Sequence, residues 1–206
     1  MEEQLHIKAG EVSLEARFIP GAMAAGALIT HPHPLYGGSM NNNVVWTAAR
    51  AFGDRGWSTL RFNFRGVGQS TGAYGEGLAE VEDVTGAATY LAFRVPGPCF
   101  LVGYSFGAAV AARALLTGLE VAGAVLISPP IAFMDLAFLP KTPGLSLIVA
   151  GDRDDFCPLA DLKSLCRHFR PPVDLRVVSG ADHFFGGREE ELYRVLKEYP
   201  LPPAPV

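Results

Sequence analysis

Charge is scarce in this chain. Asp, Glu, Lys and Arg supply only 18% of its 206 residues against 49% apolar ones, a balance too hydrophobic for intrinsic disorder. Positive charge is not in excess either: 17 basic and 21 acidic side chains leave a net charge of −4, without the basic footprint that nucleic-acid binding requires. Three cysteines are present, an odd number with no C-x-x-C pair, so a reduced, cytoplasmic setting is expected. The longest stretch free of formal charge, Phe18 to Ala49, holds Pro20, Pro32, Pro34, Gly37, Gly38 and Asn41 to Asn43. That content excludes a membrane span. The acidic start Met1-Glu2-Glu3-Gln4 is not that of a signal peptide. Internal repeats and low-complexity linkers are absent, which predicts a single domain over 1–206, long enough to bury its own core. Its Pro-rich end, 200–206, is expected to fray.

Glycine and proline, by contrast, are abundant at 23 and 16 residues, which predicts tight turns between short elements. Leu5–Lys8 and Val12–Phe18 alternate apolar and polar residues around Gly10, as an antiparallel hairpin at a sheet edge would. The runs Ala27–Thr30, Thr59–Phe64, Phe100–Tyr104, Ala124–Ile127, Leu145–Ala150 and Leu175–Val178 are apolar and often β-branched, the pattern of strands buried on both faces. Candidate helices lie between them at Asn43–Arg55, Leu78–Arg94, Phe106–Thr117, Leu159–His168 and Glu189–Glu198. Alternation of this kind implies right-handed crossovers and a mostly parallel α/β sheet of about eight strands. Ligands bind such sheets beyond the carboxyl ends of the strands, so the chemistry is sought in the loops found there.

Gly103-Tyr104-Ser105-Phe106-Gly107 follows one buried strand and opens a helix. G-x-S-x-G in that setting is a nucleophile elbow: the sharp turn exposes the serine oxygen, and flanking glycines avoid clashes. The same five residues also describe a plain glycine-rich turn, and the strand–turn–helix context favours the elbow. A serine hydroxyl attacks only when a base takes its proton and a third group orients that base. Two histidines follow Ser105. His168 falls in a helical stretch, whereas His183 sits in the loop after the last strand, at the carboxyl edge of the sheet. The acid is sought in Gly151-Asp152-Arg153-Asp154-Asp155-Phe156-Cys157-Pro158, where three aspartates compete and some are expected to be turn formers or caps.

These motifs together resemble those of the α/β-hydrolases along nearly the whole chain. Arg65-Gly66-Val67-Gly68-Gln69-Ser70 is similar to the family's R-G-x-G-x-S turn. Its G-x-x-D-x-x-x-P acid loop, laid on Gly151 and Pro158, implies Asp154 as the acid, with Asp152 second. His31-Pro-His-Pro-Leu-Tyr-Gly-Gly-Ser-Met40, followed by Arg61-Phe-Asn-Phe-Arg-Gly66, resembles small cap-less bacterial hydrolases related to dienelactone hydrolases. Of the two oxyanion donors such chemistry needs, the elbow implies the Phe106 N–H. Pro32 and Pro34 have no N–H, which leaves His33, Leu35 or Tyr36 for the second. Likeness to the family's H-G-x-P form points to His33, with Leu35 next.

His31 and His33 lack a third metal ligand at a recognisable spacing, so their rings are expected to shape the loop, and no metal or cofactor is expected. Arg65 is expected to tie its turn to a carboxylate, and Cys157 to be structural. Tyr36, Tyr74, Phe133, Phe138, Phe156, Phe184 and Phe185 lie near the strand ends, as an apolar acyl pocket or as core. Ser128 to Gly144 is too short for a helical lid, so the site is expected to be open, shielded at most by Phe133–Leu139.

The resemblance thus implies a cap-less α/β-hydrolase whose Ser105, His183 and Asp154 hydrolyse a carboxylic ester or related acyl bond of a small-molecule acyl substrate, with no nucleic acid or membrane partner. A thioesterase, peptidase or acyltransferase would use the same triad. A binding protein on this scaffold would be marked by a broken triad, and all three positions are filled. Nothing in the sequence sets the oligomeric state.

Overall fold

The computed structural model describes residues 1–200; the expected frayed tail lies outside them from residue 201 onward. Eight strands form one sheet: β1 (Glu3–Ala9), β2 (Val12–Ile19), β3 (Gly26–Thr30), β4 (Ser58–Phe62), β5 (Cys99–Tyr104), β6 (Gly123–Ile127), β7 (Leu145–Gly151) and β8 (Asp174–Val178). Their spatial order is β1-β2-β4-β3-β5-β6-β7-β8. The β1–β2 hairpin and the β2–β4 pair are antiparallel, and the other five pairs are parallel. Strands β3, β4 and β6 are buried along their whole length, so none of them alternates buried with exposed residues.

Five helices cover the sheet: α1 (Asn43–Gly53), α2 (Glu80–Arg94), α3 (Phe106–Leu116), α4 (Leu159–Cys166) and α5 (Glu189–Glu198). Helices α1 and α5 share one core, around Phe52, Trp57, Val102 and Leu192. Helices α2, α3 and α4 enclose the other, around Leu28, Phe62, Leu91 and Leu162. The two cores lie on opposite faces because β3 sends the chain one way, through α1 to β4, and the α2 crossover brings it back to β5.

Several element ends differ from the sequence reading by one or two residues, those of β4, α2 and α4 among them. β4 stops at Phe62 because the Phe64 N–H leaves the ladder for the His31 ring, donating to Nε2 at 2.9 Å. α2 starts at Glu80 rather than Leu78, since the Glu80 carboxylate turns back to accept the N–H groups of Gly75 (2.7 Å) and Gly77 (2.8 Å). α4 ends at Cys166, and His168 lies exposed just beyond it.

The reversal of strand order between β3 and β5 is a topological switch point, where a crevice opens at the carboxyl edge. It sets the loop after β3, which carries His33, beside the turn after β5, which carries Ser105.

Candidate active site

Ser105 occupies the turn between β5 and α3 with φ +54° and ψ −121°. Such a backbone costs a non-glycine residue about 1–3 kcal/mol and persists only where its surroundings over-determine it. Here the Ser105 N–H donates to the Ile127 carbonyl at 2.9 Å, and its own carbonyl accepts the Ala108 N–H at 2.9 Å. The turn closes only without side chains around it. A Cβ on Gly103 would lie 2.6 Å from Ala108 Cα, and one on Gly107 would lie 2.6 Å from the His31 carbonyl oxygen.

Ser105 Oγ stands 2.8 Å from His183 Nε2. His183 Nδ1 lies 2.9 Å and 3.0 Å from the two carboxylate oxygens of Asp154. All three residues are buried. With Nδ1–H donating to the carboxylate, Nε2 carries a lone pair within hydrogen-bond reach of the Ser105 hydroxyl. Asp154 Oδ1 also accepts the N–H groups of Phe156 and Cys157, each at 2.9 Å. Burial alone would raise the Asp154 carboxyl. The hydrogen bond and charge of His183, the nearby Ser128 hydroxyl and the Cys157 N–H outweigh it and hold the group below its ordinary value, hence ionised. Ser128 Oγ itself is buried without a well-directed hydrogen bond to any atom.

Two other aspartates of these loops are turned to structural tasks. Asp152 accepts the Gly180 N–H at 2.6 Å and the Ser179 hydroxyl at 3.1 Å, tying the acid loop to the histidine loop. Asp182 accepts the Phe184 N–H at 3.0 Å.

The loop after β3 is shaped by its two histidines. His31 is fully buried, and burial pushes its pKa down to about 4, so the ring is neutral. Its Nδ1 lies 2.6 Å from the Pro32 carbonyl, while Nε2 receives the Phe64 N–H. The His33 ring is also pushed down by burial, against the pull of Glu80. Its Nδ1 accepts the Leu35 N–H at 3.2 Å, and Nε2 faces the Tyr74 hydroxyl at 3.1 Å. The Tyr36 N–H goes to the His33 carbonyl at 3.1 Å. Of the three backbone donors considered for the oxyanion, Leu35 and Tyr36 are therefore engaged. Among the described residues, the N–H groups of His33 and Phe106 meet no protein acceptor, and the two residues touch, with ring centroids 4.9 Å apart.

A match to a family model, described as serine aminopeptidase, S33, spans residues 37–153, more than half of the chain. The chain belongs to that family of α/β-hydrolases. The matched stretch contains the Ser105 elbow and stops before Asp154 and His183. An α/β serine hydrolase homologue from Coxiella burnetii is 36% identical, covering 95% of this chain and 96% of that one, with a TM-score of 0.89. A serine hydrolase without lid from Xanthomonas campestris is 28% identical, covering 96% and 92%, also with a TM-score of 0.89. An uncharacterised protein of Rickettsia prowazekii is 34% identical over 95% of this chain and 87% of its own length. This α/β-hydrolase is likewise a cap-less member.

Two residues here were not singled out from the sequence as parts of the site. Tyr104, a variable position of the elbow motif, donates its hydroxyl to the His183 carbonyl at 2.9 Å. Its signal was available, since a buried tyrosine needs a partner for its hydroxyl. Ser128 directly follows β6, with φ +45°, and no sequence pattern marks it. Arg65 does tie its turn, to Asp83, with Nη2 and Nε donating to one carboxylate oxygen at 2.7 Å and 2.9 Å. Of the aromatic residues, Phe185 is core, while Phe133, Phe184 and Tyr36 stand exposed at the strand ends.

Proposed function

We propose that this α/β-hydrolase cleaves a carboxylic ester through an acyl-enzyme on Ser105. The observation that carries this reading is the continuous chain from Ser105 Oγ to His183 Nε2 (2.8 Å) and from His183 Nδ1 to Asp154 (2.9 Å). His183 takes the hydroxyl proton as Oγ attacks the ester carbonyl carbon, and the carbonyl π bond opens to an oxyanion. Asp154 holds the ring in the required tautomer and stabilises the imidazolium. The free N–H groups of His33 and Phe106 receive the oxyanion; each such donor contributes about 3–4 kcal/mol in comparable sites. Collapse breaks the bond to the alcohol oxygen, which takes the proton from His183 Nε2. Water, deprotonated by His183, then attacks the acyl-enzyme and releases the acid, returning the proton to Ser105. No cofactor enters any step.

The family description supports a second reading, cleavage of a peptide bond by the same steps with an amine leaving. One experiment addresses both. The protein is incubated with a fluorophosphonate probe, with nitrophenyl esters of short acids and with aminoacyl anilides. Labelling at Ser105, together with ester turnover abolished in Ser105→Ala, is expected. Turnover by Ser105→Ala equal to that of the unaltered protein overturns the proposal, and faster turnover of anilides than of esters favours the peptidase.

A further inference from the structure

Three phenylalanines from three separate loops cluster at His183, two of them against its ring and the third against one of those two. The Phe156 ring lies stacked on the imidazole, with centroids 4.4 Å apart and planes 19° from parallel. Phe133, from the loop after β6, packs on Phe156 at 4.7 Å. Phe184 stands edge-on to His183 at 5.6 Å and to Phe156 at 6.0 Å. The assembly is tied at the backbone, where the Ala132 N–H donates to the Phe156 carbonyl at 3.1 Å.

Core packing does not account for the two outer rings. Phe133 is 69% exposed and Phe184 58% exposed, while the adjacent Phe185 is buried and packs in the core. Leaving a phenylalanine in water forgoes about 1.5–3 kcal/mol of burial. Apolar surface clustered beside a reactive group marks a place where something apolar binds.

The chemistry of the site says which part of a substrate arrives there. The oxyanion is directed to the His33 and Phe106 N–H groups. The leaving oxygen must instead come within hydrogen-bond reach of His183 Nε2, because that atom returns the proton. The first carbons beyond the leaving oxygen therefore pass over the histidine, where Phe133, Phe156 and Phe184 stand. We propose that these rings form the leaving-group subsite, and that the enzyme acts on esters whose alcohol portion is apolar and preferably aromatic. The inference rests on the ester-hydrolase reading above and adds to it the half of the substrate that is selected.

The test separates the two halves of the ester. One series keeps butanoate as the acid and varies the alcohol from ethanol to hexanol to benzyl alcohol; the other keeps ethanol and lengthens the acid. Acid release is followed for the unaltered protein, Phe133→Ser and Phe184→Ser, and compared as kcat/KM, which reports acylation while the alcohol is still attached. Both positions are exposed, and the Phe184 hydrogen bonds are made by its backbone, so both variants are expected to fold. Benzyl butanoate is expected to exceed ethyl butanoate by about tenfold in the unaltered protein. Each variant is expected to lose about three- to tenfold on the benzyl ester, with ethyl butanoate and the acid-length series changed less than about twofold. Equal loss on every ester, a change confined to the acid-length series, or unaltered kinetics overturns the subsite. Absence of turnover on every ester overturns the hydrolase reading together with it, whereas turnover without dependence on the alcohol overturns the subsite alone.

Discussion

The Tyr104 phenol donates to the backbone carbonyl of His183 at 2.9 Å. The residue before the elbow serine thereby holds the loop that carries the histidine, 79 positions further along the chain. Tyr104 is buried, and burial together with the charges of Asp154 and Asp182 pushes its pKa up, so the hydroxyl stays protonated as a permanent donor. Tyr104→Phe leaves the His183 carbonyl without this partner, and about 1–3 kcal/mol of stability is expected to be lost. Urea unfolding measures that loss, and ester turnover is expected to fall with it as the histidine loop loosens.

Asp154→Asn is expected to lower kcat by about 10⁴, because an amide facing Nδ1 stabilises the wrong imidazole tautomer. Stability should respond to pH in a defined direction. The folded carboxyl lies below its unfolded value of about 3.9, so its stabilising contribution is complete above that pH and is lost as the pH falls through the folded value. Unfolding curves taken below about pH 4 are expected to lose stability more steeply with falling pH in the unaltered protein than in the variant.

His31 supplies a second pH dependence in a separate window. Its folded pKa, about 4, lies below the unfolded 6.5. The unfolded chain thus binds the proton first, and stability falls as the pH drops from 6.5 towards 4, by about 3 kcal/mol in all. His31→Gln keeps an acceptor for the Phe64 N–H and removes the titration. Urea midpoints at pH 7 and pH 4.5 are expected to lie closer together in this variant than in the unaltered protein.

Arg65 and Asp83 form a pair whose side chains are 11% and 0% exposed. Both carboxylate oxygens are used: Oδ1 takes the guanidinium, and Oδ2 takes the Arg65 backbone N–H at 2.9 Å. Burial raises the Asp83 carboxyl against the pull of Arg65, and the same pairing raises Arg65. Removing only one partner strands a buried charge. Arg65→Ala is expected to cost about 3–5 kcal/mol, read as a drop in Tm, while Glu82→Ala, which removes an exposed carboxylate from the same arginine, is expected to cost less than about 1 kcal/mol.

Much of the fold was legible because its signals are local. A strand buried on both faces reads as a mostly apolar run, as β3 (Gly-Ala-Leu-Ile-Thr) and β6 (Gly-Ala-Val-Leu-Ile) do. The elbow needs glycine wherever backbone meets backbone, and Gly103 and Gly107 mark it in five residues. Element ends were less legible where a distant group intervened. The His31 ring takes the Phe64 N–H from 33 positions away and so ends β4 early, which no reading of residues 58–64 reveals.

By itself the sequence determined the alternation of strands and helices, the strand–turn–helix setting of Ser105, and the loops in which a base and an acid were to be sought. These follow from backbone conformation and side-chain period, which neighbouring residues dictate. Only the tertiary structure decided which aspartate faces His183 and which one ties loops together, for Asp152 and Asp154 differ in direction and not in kind. It also decided that Phe185 is core while Phe133 and Phe184 stand in water around the histidine. The physical reason is common to both: hydrogen-bond direction and burial depend on what the rest of the folded chain places opposite a residue, and that partner lies far away in the sequence.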